Sequence, residues 1–250
     1  MHPIEWLRAV ARSGNVPHAE LASEAAGALA AVAGDPHELL PSCRRLLDRN
    51  PTAGPLWWTC ARLLTAADPV AEARAVQSDL SADQVGLSLA LDLPDDATVA
   101  VVGWSEVAGE IAARRGDIRL LIVTDDATEV EDDGTIALVP PLGLGAAVAA
   151  SDLLLLDADA VGTSEALVAP GSLPALATAL RAEVPVWLTV SVGRRLPPAL
   201  FGALVKRLFP PGVDRWQVPA ELVDIDPIGI MVEPLVIPCP APPELLGRTS

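Results

Sequence analysis

Cysteine is scarce in this 250-residue chain. The three present, Cys43, Cys60 and Cys239, lie far apart and form no CxxC pair. That spacing argues against a disulfide framework or a zinc site, and each reads as a small buried hydrophobe. Histidine is equally rare, and His2, His18 and His37 all fall in the first forty residues. None is near the later strand-like segments, so neither a metal cluster nor a Ser-His-Asp triad across those segments is expected. The longest apolar runs fall well short of the roughly 18–20 residues that a membrane span needs. No charged-then-apolar leader opens the sequence, which makes the cytoplasm the expected compartment and a membrane an unexpected partner. The pattern GxGxxG is missing, no repeat or low-complexity linker is visible, and Lys206 is the only lysine. The abundance of Ala and Arg reflects a GC-rich coding bias.

What is present is hydrophobicity and acid. Hydrophobic residues make up 51% of the chain, enough for a substantial core. The net charge of −16 is unevenly spread. Residues 1–75 carry 8 acidic and 7 basic groups, residues 76–175 carry 18 and 3, and residues 176–250 carry 7 and 7. An acidic middle repels phosphate backbones, so nucleic acid is not an expected partner. It also disfavours a highly phosphorylated substrate unless a local arginine overrides the field. A solvated acidic surface that aids solubility explains the charge equally well.

The first part of the chain reads as helical. IEWLRAVAR sets Ile4, Leu7, Val10 and Ala11 at helical spacing, and a second helix follows over 17–34, with Gly34 as its stop. In DPHELLPSCRRLLDRN, Asp35 is placed as N-cap with Pro36 at the first helical position. Pro41 is expected to kink or divide that helix. PLWWTCARLLTAA and PVAEARAVQSDL supply two more helices.

The texture changes near residue 97. ATVAVVG, DIRLLIVTDD, GTIALVP, DLLLLDAD and VPVWLTVS are strand-like runs, separated by helical stretches at 105–116, GLGAAVAAS and 171–183. Alternation of this kind predicts a parallel sheet, and the uniformly apolar strands suit one covered on both faces. A further helix is expected at LPPALFGALVKRLF, with the proline-rich remainder, 210–250, as an extended tail. The expected fold class is therefore α/β: a helical N-terminal region over 1–80, then a Rossmann-like parallel sheet domain over 81–250. Ligands of such sheets sit beyond the carboxyl ends of the strands. That rule gathers Gly103–Ser105, Asp125–Asp126 and Asp157–Asp159 at one rim.

Three stretches carry candidate chemistry. In VVGWSEVAGE, Gly103 and Ser105 stand between a strand and a helix start, where backbone N–H groups can cradle a phosphate; Ser105 as a plain helix cap is the simpler reading. In RNPTAGPLWWTCARLL, Arg49 offers a forked donor for phosphate, and Trp57 and Trp58 suit core anchors. In SDLLLLDADAVG, an apolar run delivers Asp157 and Asp159. If the strand continues through Asp159, both carboxylates share a face; if it turns at Ala158, they do not.

The second of these stretches resembles the RPTA-x-NL-x-WA motif of the methylthioribose-1-phosphate isomerase family. Arg49, Pro51, Thr52, Ala53, Leu56 and Trp58 fit it if Asn50 is an insertion. LLDADA resembles that family's V-G-A-D strand end, with Ala158 and Asp159 in register. GSLPALATALRAEVPVWLTV resembles a later segment in which Gly171 and Ser172 match a Gly-Thr pair and Val184-Pro185 a Val-Pro pair. The wider superfamily holds ribose-1,5-bisphosphate isomerases and the α/β/δ subunits of initiation factor 2B, all with a helical domain before a Rossmann-like one. The resemblance spans about residues 40–245. It implies phosphate binding by Arg49, Thr52, Gly103, Ser105, Gly171 and Ser172, acid/base work by Asp159 aided by Asp157, no cofactor or metal, and a homodimer built through the α/β domain.

The departures are as telling. The family's catalytic cysteine after the first strand is absent from Val102-Gly103-Trp104-Ser105, and its Asn-Lys pair is Ala169-Pro170. The stretch that supplies a phosphate-facing arginine in some members is TDDATEVEDDG here, and the middle of the α/β domain looks trimmed. Three functions follow: a non-catalytic, initiation-factor-2B-like binder of a small phosphorylated metabolite or a protein partner; a sugar-phosphate isomerase with altered chemistry; or a dimerisation module.

Overall fold

The computed structural model describes residues 17–125, 134–233 and 237–246. The expected helix over Ile4–Ala11 and most of the acidic stretch 124–134 lie outside the described residues. Helices fill the first part: α1 (His18–Ala30), α2 (Pro36–Arg49), α3 (Gly54–Thr65), α4 (Pro69–Ser81) and α5 (Val85–Asp92). Asp35 caps α2 by accepting from the His37 N–H at 2.8 Å, as expected. Pro41 does not divide α2. The helix runs unbroken through it, one backbone hydrogen bond short, because the buried Leu39, Cys43, Leu46 and Leu47 hold both halves to one core. Trp57 and Trp58 are core anchors, each 1% exposed.

The sheet domain follows with β1 (Thr98–Val102), α6 (Glu106–Arg114), β2 (Arg119–Val123), β3 (Ile136–Val139), α7 (Leu144–Ala149), β4 (Leu153–Val161), β5 (Glu165–Val168), α8 (Ser172–Ala182) and β6 (Val186–Thr189). After α9 (Pro198–Leu208) come β7 (Glu221–Asp224) and β8 (Ile230–Val232). The expected extended tail thus holds two strands. The parallel order is β3-β2-β1-β4-β6-β8, and the far half of β4 turns to antiparallel pairing with β5, itself paired with β7. The sheet is mixed where uniform parallel pairing was expected. Ser164 sits at the hairpin between β4 and β5, and Gly162 N–H donates to Glu165 O at 2.9 Å across it.

Strand alternation assigns each strand residue to a face. Val99, Val101, Leu153 and Leu155 pack under α5 and α6. Ala100, Val102, Leu154, Leu156 and Ala158 pack under α7 and α8. A third core joins the N-terminal helices to α9 and takes in Ala160, Leu167 and Val192. Helix α3 meets the sheet so closely that a Cβ on Gly54 would lie 2.2 Å from the Asp159 carbonyl oxygen. Only glycine lets the helix start there.

Candidate functional site

β4 does not stop at the carboxylates; it continues to Val161. Asp157 is in line with Leu153 and Leu155, turned toward α5 and α6; the register against β5 shifts between Ala158 and Ala160, so Asp159 is placed by its contacts, with His18 and with the charge of Arg194, and not by alternation. This is the half of the sheet where the N-terminal helices approach.

Asp157 is 11% exposed and is held on several sides. Arg194 Nη1 donates to its Oδ1 at 2.6 Å, and Thr189 Oγ1, at 2.9 Å, donates to the same oxygen. Arg194 is itself buried, at 3% exposure, and also donates to the Ala158 carbonyl at 2.7 Å. Burial opposes its charge, but Asp157 and Asp159 outweigh that and raise its pKa above the usual arginine value. Its position comes from a turn in which the Arg194 N–H donates to Ser191 O at 3.1 Å. Gly193 makes the turn with φ +79°, and a Cβ there would meet Trp58 at 3.1 Å and Pro55 at 3.2 Å. The motif tryptophan is thus part of the wall that places the arginine.

Glu106 completes this wall. Its Oε2 lies 3.9 Å from Arg194 Nη2. Burial raises its pKa, against the pull of Arg194. Asp159 has a different partner: His18 Nδ1 lies 3.2 Å from its Oδ1. No histidine was expected near the strands. Helix α1 packs on α3 and α4 and brings the first described helical residue onto the tip of β4. A cavity of about 400 Å³ opens beside these groups, lined by Glu20, Asp83, Glu106 and Glu110 with Ser81 and Ser191. Pro17 and Ala19, on either side of His18, also line it. Every charged group on its lining is a carboxylate.

The expected phosphate-binding residues do not all gather here. Ser105 is buried and caps α6, its Oγ accepting from Ala108 N–H at 3.2 Å. Gly103 has φ +74° and lies against Ala169. Gly171, with φ +96°, lies against Val102 and Leu144, and Ser172 beside it is 1% exposed. Gly171 and Ser172 thus belong to the α7/α8 side, on the sheet face opposite Asp157. Arg49 ends α2, exposed, and makes no ion pair among the described residues. Thr52 lies half-buried in the turn that leads from Arg49 to Gly54, and so to the tip of β4. Among the described residues no cluster of three or more His, Cys, Asp or Glu is arranged to hold a metal ion. No described helix is long and apolar enough to cross a membrane.

Sequence reading missed Arg194, Glu106 and His18. A lone arginine pair after an apolar strand, in SVGRRLPP, was a local signal for the first. Glu106 stood one residue past the cap. For His18 the sequence holds none, since its contact with Asp159 spans the chain.

The architecture defines a class: a helical bundle set against the carboxyl rim of a Rossmann-like sheet, with the α/β domain's most polar strand tip at the junction. Subunits of translation initiation factor 2B are among the solved structures with this fold. The chain superposes on the Pyrococcus horikoshii OT3 translation initiation factor eIF-2B with a TM-score of 0.74 at 11% identity, covering 92% of this chain and 94% of that one. It superposes on a chain of the tetrameric eIF2B-β2δ2 complex from C. thermophilum with a TM-score of 0.69 at 13% identity, covering 92% and 88%. For eIF2B delta from Chaetomium thermophilum the values are 0.62, 11%, 92% and 96%. No family model matches the sequence, and a search of curated proteins finds no significant match. The likeness is one of fold, and the fold is that of the initiation-factor-2B α/β/δ subunits.

Proposed function

We propose that this protein is a non-catalytic, initiation-factor-2B-like scaffold that works by associating with protein and does not turn over a sugar phosphate. The observation that carries the reading is the state of the strand tip. Isomerisation of a 1-phosphorylated sugar needs a group free to move a proton between adjacent carbons. Asp157 is occupied by Arg194 and Thr189, and Ser105 is occupied as a cap. A phosphate ester entering the cavity would meet Glu20, Asp83, Glu106 and Glu110 with no cation on the lining. Of the two ligands expected for a non-catalytic member, the protein partner therefore fits better than the phosphorylated metabolite. The C. thermophilum relative of this fold is a tetrameric complex, and self-association, beginning with a homodimer, is the matching expectation here.

The test is direct. Purified protein should leave methylthioribose 1-phosphate and ribose 1,5-bisphosphate unchanged, and calorimetry against sugar and nucleoside monophosphates should be silent. Turnover abolished by Asp159→Asn would overturn the reading, as would monophosphate binding weakened by Arg49→Ala. One observation favours a second reading, the altered isomerase: Asp159 faces His18, which makes a proton-transfer pair. The same turnover assay decides between the two.

A further inference from the structure

The carboxylate-lined cavity is bordered both by Pro17, the first described residue, and by Gly86 of α5. Helix α5 buries Val85, Gly86, Leu89 and Ala90. Its outer side is apolar as well: Leu87 and Leu91, one turn apart, are 38% and 75% exposed, and Asp92 is the helix's only charge. The Glu110 carboxylate lies beside this stripe, so close that a Cβ on Gly86 would meet its Oε2 at 2.3 Å. Glu20, Asp83, Glu106 and Glu110 gather around the cavity with no cation on its lining. Arg114, 3.1 Å from Glu110, and Arg194, 3.9 Å from Glu106, approach from behind that lining. Glu20 is exposed and makes no ion pair among the described residues. An apolar helix stripe bordered by carboxylates is thus left open beside the point where the described chain begins.

We propose that the outer side of α5, with the carboxylates beside it, is the docking site for residues 1–16 of the same chain. Position selects the occupant. The segment joins the structure at Pro17, on the cavity's own lining, and a tethered segment is present at an effective concentration of about millimolar. Its composition matches the surface. Ile4, Leu7, Val10 and Ala11 recur at helical spacing, and Arg8 and Arg12, four apart, fall along one edge of that apolar stripe. A helix from Ile4 to Arg12 would span about 13 Å and α5 spans about 12 Å, so the two stripes match in length. Arg12 stands five residues before Pro17, at most about 17 Å of extended chain, which leaves its guanidinium within reach of Glu20 and Glu110. Residues 1–16 hold two arginines and one glutamate, whereas residues 76–175 hold 18 acidic groups against 3 basic ones. The segment is therefore attracted to this side of the molecule, where a second copy, with the same −16, is repelled. The chain covers its own acidic cavity. The inference goes beyond the non-catalytic reading and holds whether or not the strand tip turns over a substrate.

Limited trypsin digestion of the full chain tests this, because trypsin cuts after arginine and Arg8 and Arg12 are its sites within the segment. A synthetic peptide of residues 1–16 gives the rate for the undocked segment. Cleavage tracks the undocked population, so the wild-type chain should be cut at both sites about tenfold more slowly than the peptide or slower still. Leu91→Asp should bring the rate back to within about twofold of the peptide, and Glu20→Gln should raise it by less. Trp216→Ala, 81% exposed in the loop after α9, should change nothing. Leu91 and Glu20 are exposed, so matching thermal melts by circular dichroism will show that the variants fold. A wild type cut as fast as the peptide overturns the proposal. So does a slow rate indifferent to Leu91→Asp, which would put the segment elsewhere. Protection that grows with protein concentration overturns it as well, since the occupant is then a second copy. Each of these failures leaves the non-catalytic reading intact, since that is decided by turnover.

Discussion

The two faces of the sheet are built from the same kind of strand yet end in opposite chemistry. Under α5 and α6, the apolar run Leu153, Leu155 continues into Asp157, Asp159 follows, and a buried arginine, a glutamate and a histidine converge on them. Under α7 and α8, the run Leu154, Leu156 continues into Ala158, and the helices that cover it carry a single charge, the exposed Arg181 in the last turn of α8. A shift of one residue along β4 separates the two. The strand's alternation is thus a sorting device, and the single-residue register decides which helices must bring polar partners. Burying charge is costly unless the charges are paired and hydrogen-bonded. The charged face therefore depends on specific partners, whereas the core under α7 and α8 is apolar and depends mainly on shape.

The strongest way to break that contrast is to remove the arginine. Arg194→Leu leaves Asp157, 11% exposed, without its cation. Loss of one partner of a buried pair costs about 3–5 kcal/mol, read as a lowered urea midpoint. Adding Asp157→Leu should recover part of the loss, because Glu106 is then still left without the arginine. If Arg194→Leu falls within about 1 kcal/mol of wild type, the pair behaves as a surface one and the two faces do not differ in kind.

The contrast was only half legible in sequence. Periodicity and apolar runs identified α1 to α4 and the strands β1, β2, β3, β4 and β6, because local hydrophobic pattern determines them, whereas the eight-residue α5 was not read. The two carboxylates were visible too, but the register shift between Ala158 and Ala160 that interrupts the alternation at Asp159 was not. The antiparallel strands were missed: Glu165–Val168 and Glu221–Asp224 are four residues each, too short to show a period, and their pairing partners lie across a hairpin and across the chain. Likewise β8 is three residues long. Partners of the carboxylates were invisible for a related reason. Arg194 reaches Asp157 only because Gly193 turns the chain against Trp58, and His18 reaches Asp159 only because α1 docks on α3. Both depend on tertiary packing, which no spacing encodes. The resemblance to the isomerase superfamily named the fold. It did not bring Arg49, Gly171 and Ser172 to the tip of β4.

A smaller effect sharpens the comparison through pH. Glu106 has its pKa raised by burial. A carboxyl whose folded pKa lies above its unfolded one favours folding while protonated, and that contribution is lost as pH rises through the folded pKa. Glu106→Gln removes the loss. The variant should melt higher than wild type at neutral and alkaline pH, with the difference shrinking as pH falls below the ordinary carboxylate range. A difference independent of pH would mean that the amide gains by new hydrogen bonds and not by relief of a buried charge.

The smallest expected effect is at His18. Its side chain is 27% exposed and that of Asp159 is 23% exposed, so water reaches both partners of the pair. Pairs so placed contribute about 0–1 kcal/mol and weaken with salt. His18→Ala should therefore shift the urea midpoint only slightly, and less at high salt. That outcome would separate the tip into two parts: Asp157, fixed by an arginine that stability requires, and Asp159, whose partner can leave at little cost. If His18→Ala instead costs as much as Arg194→Leu, the histidine is a structural clasp between α1 and the sheet.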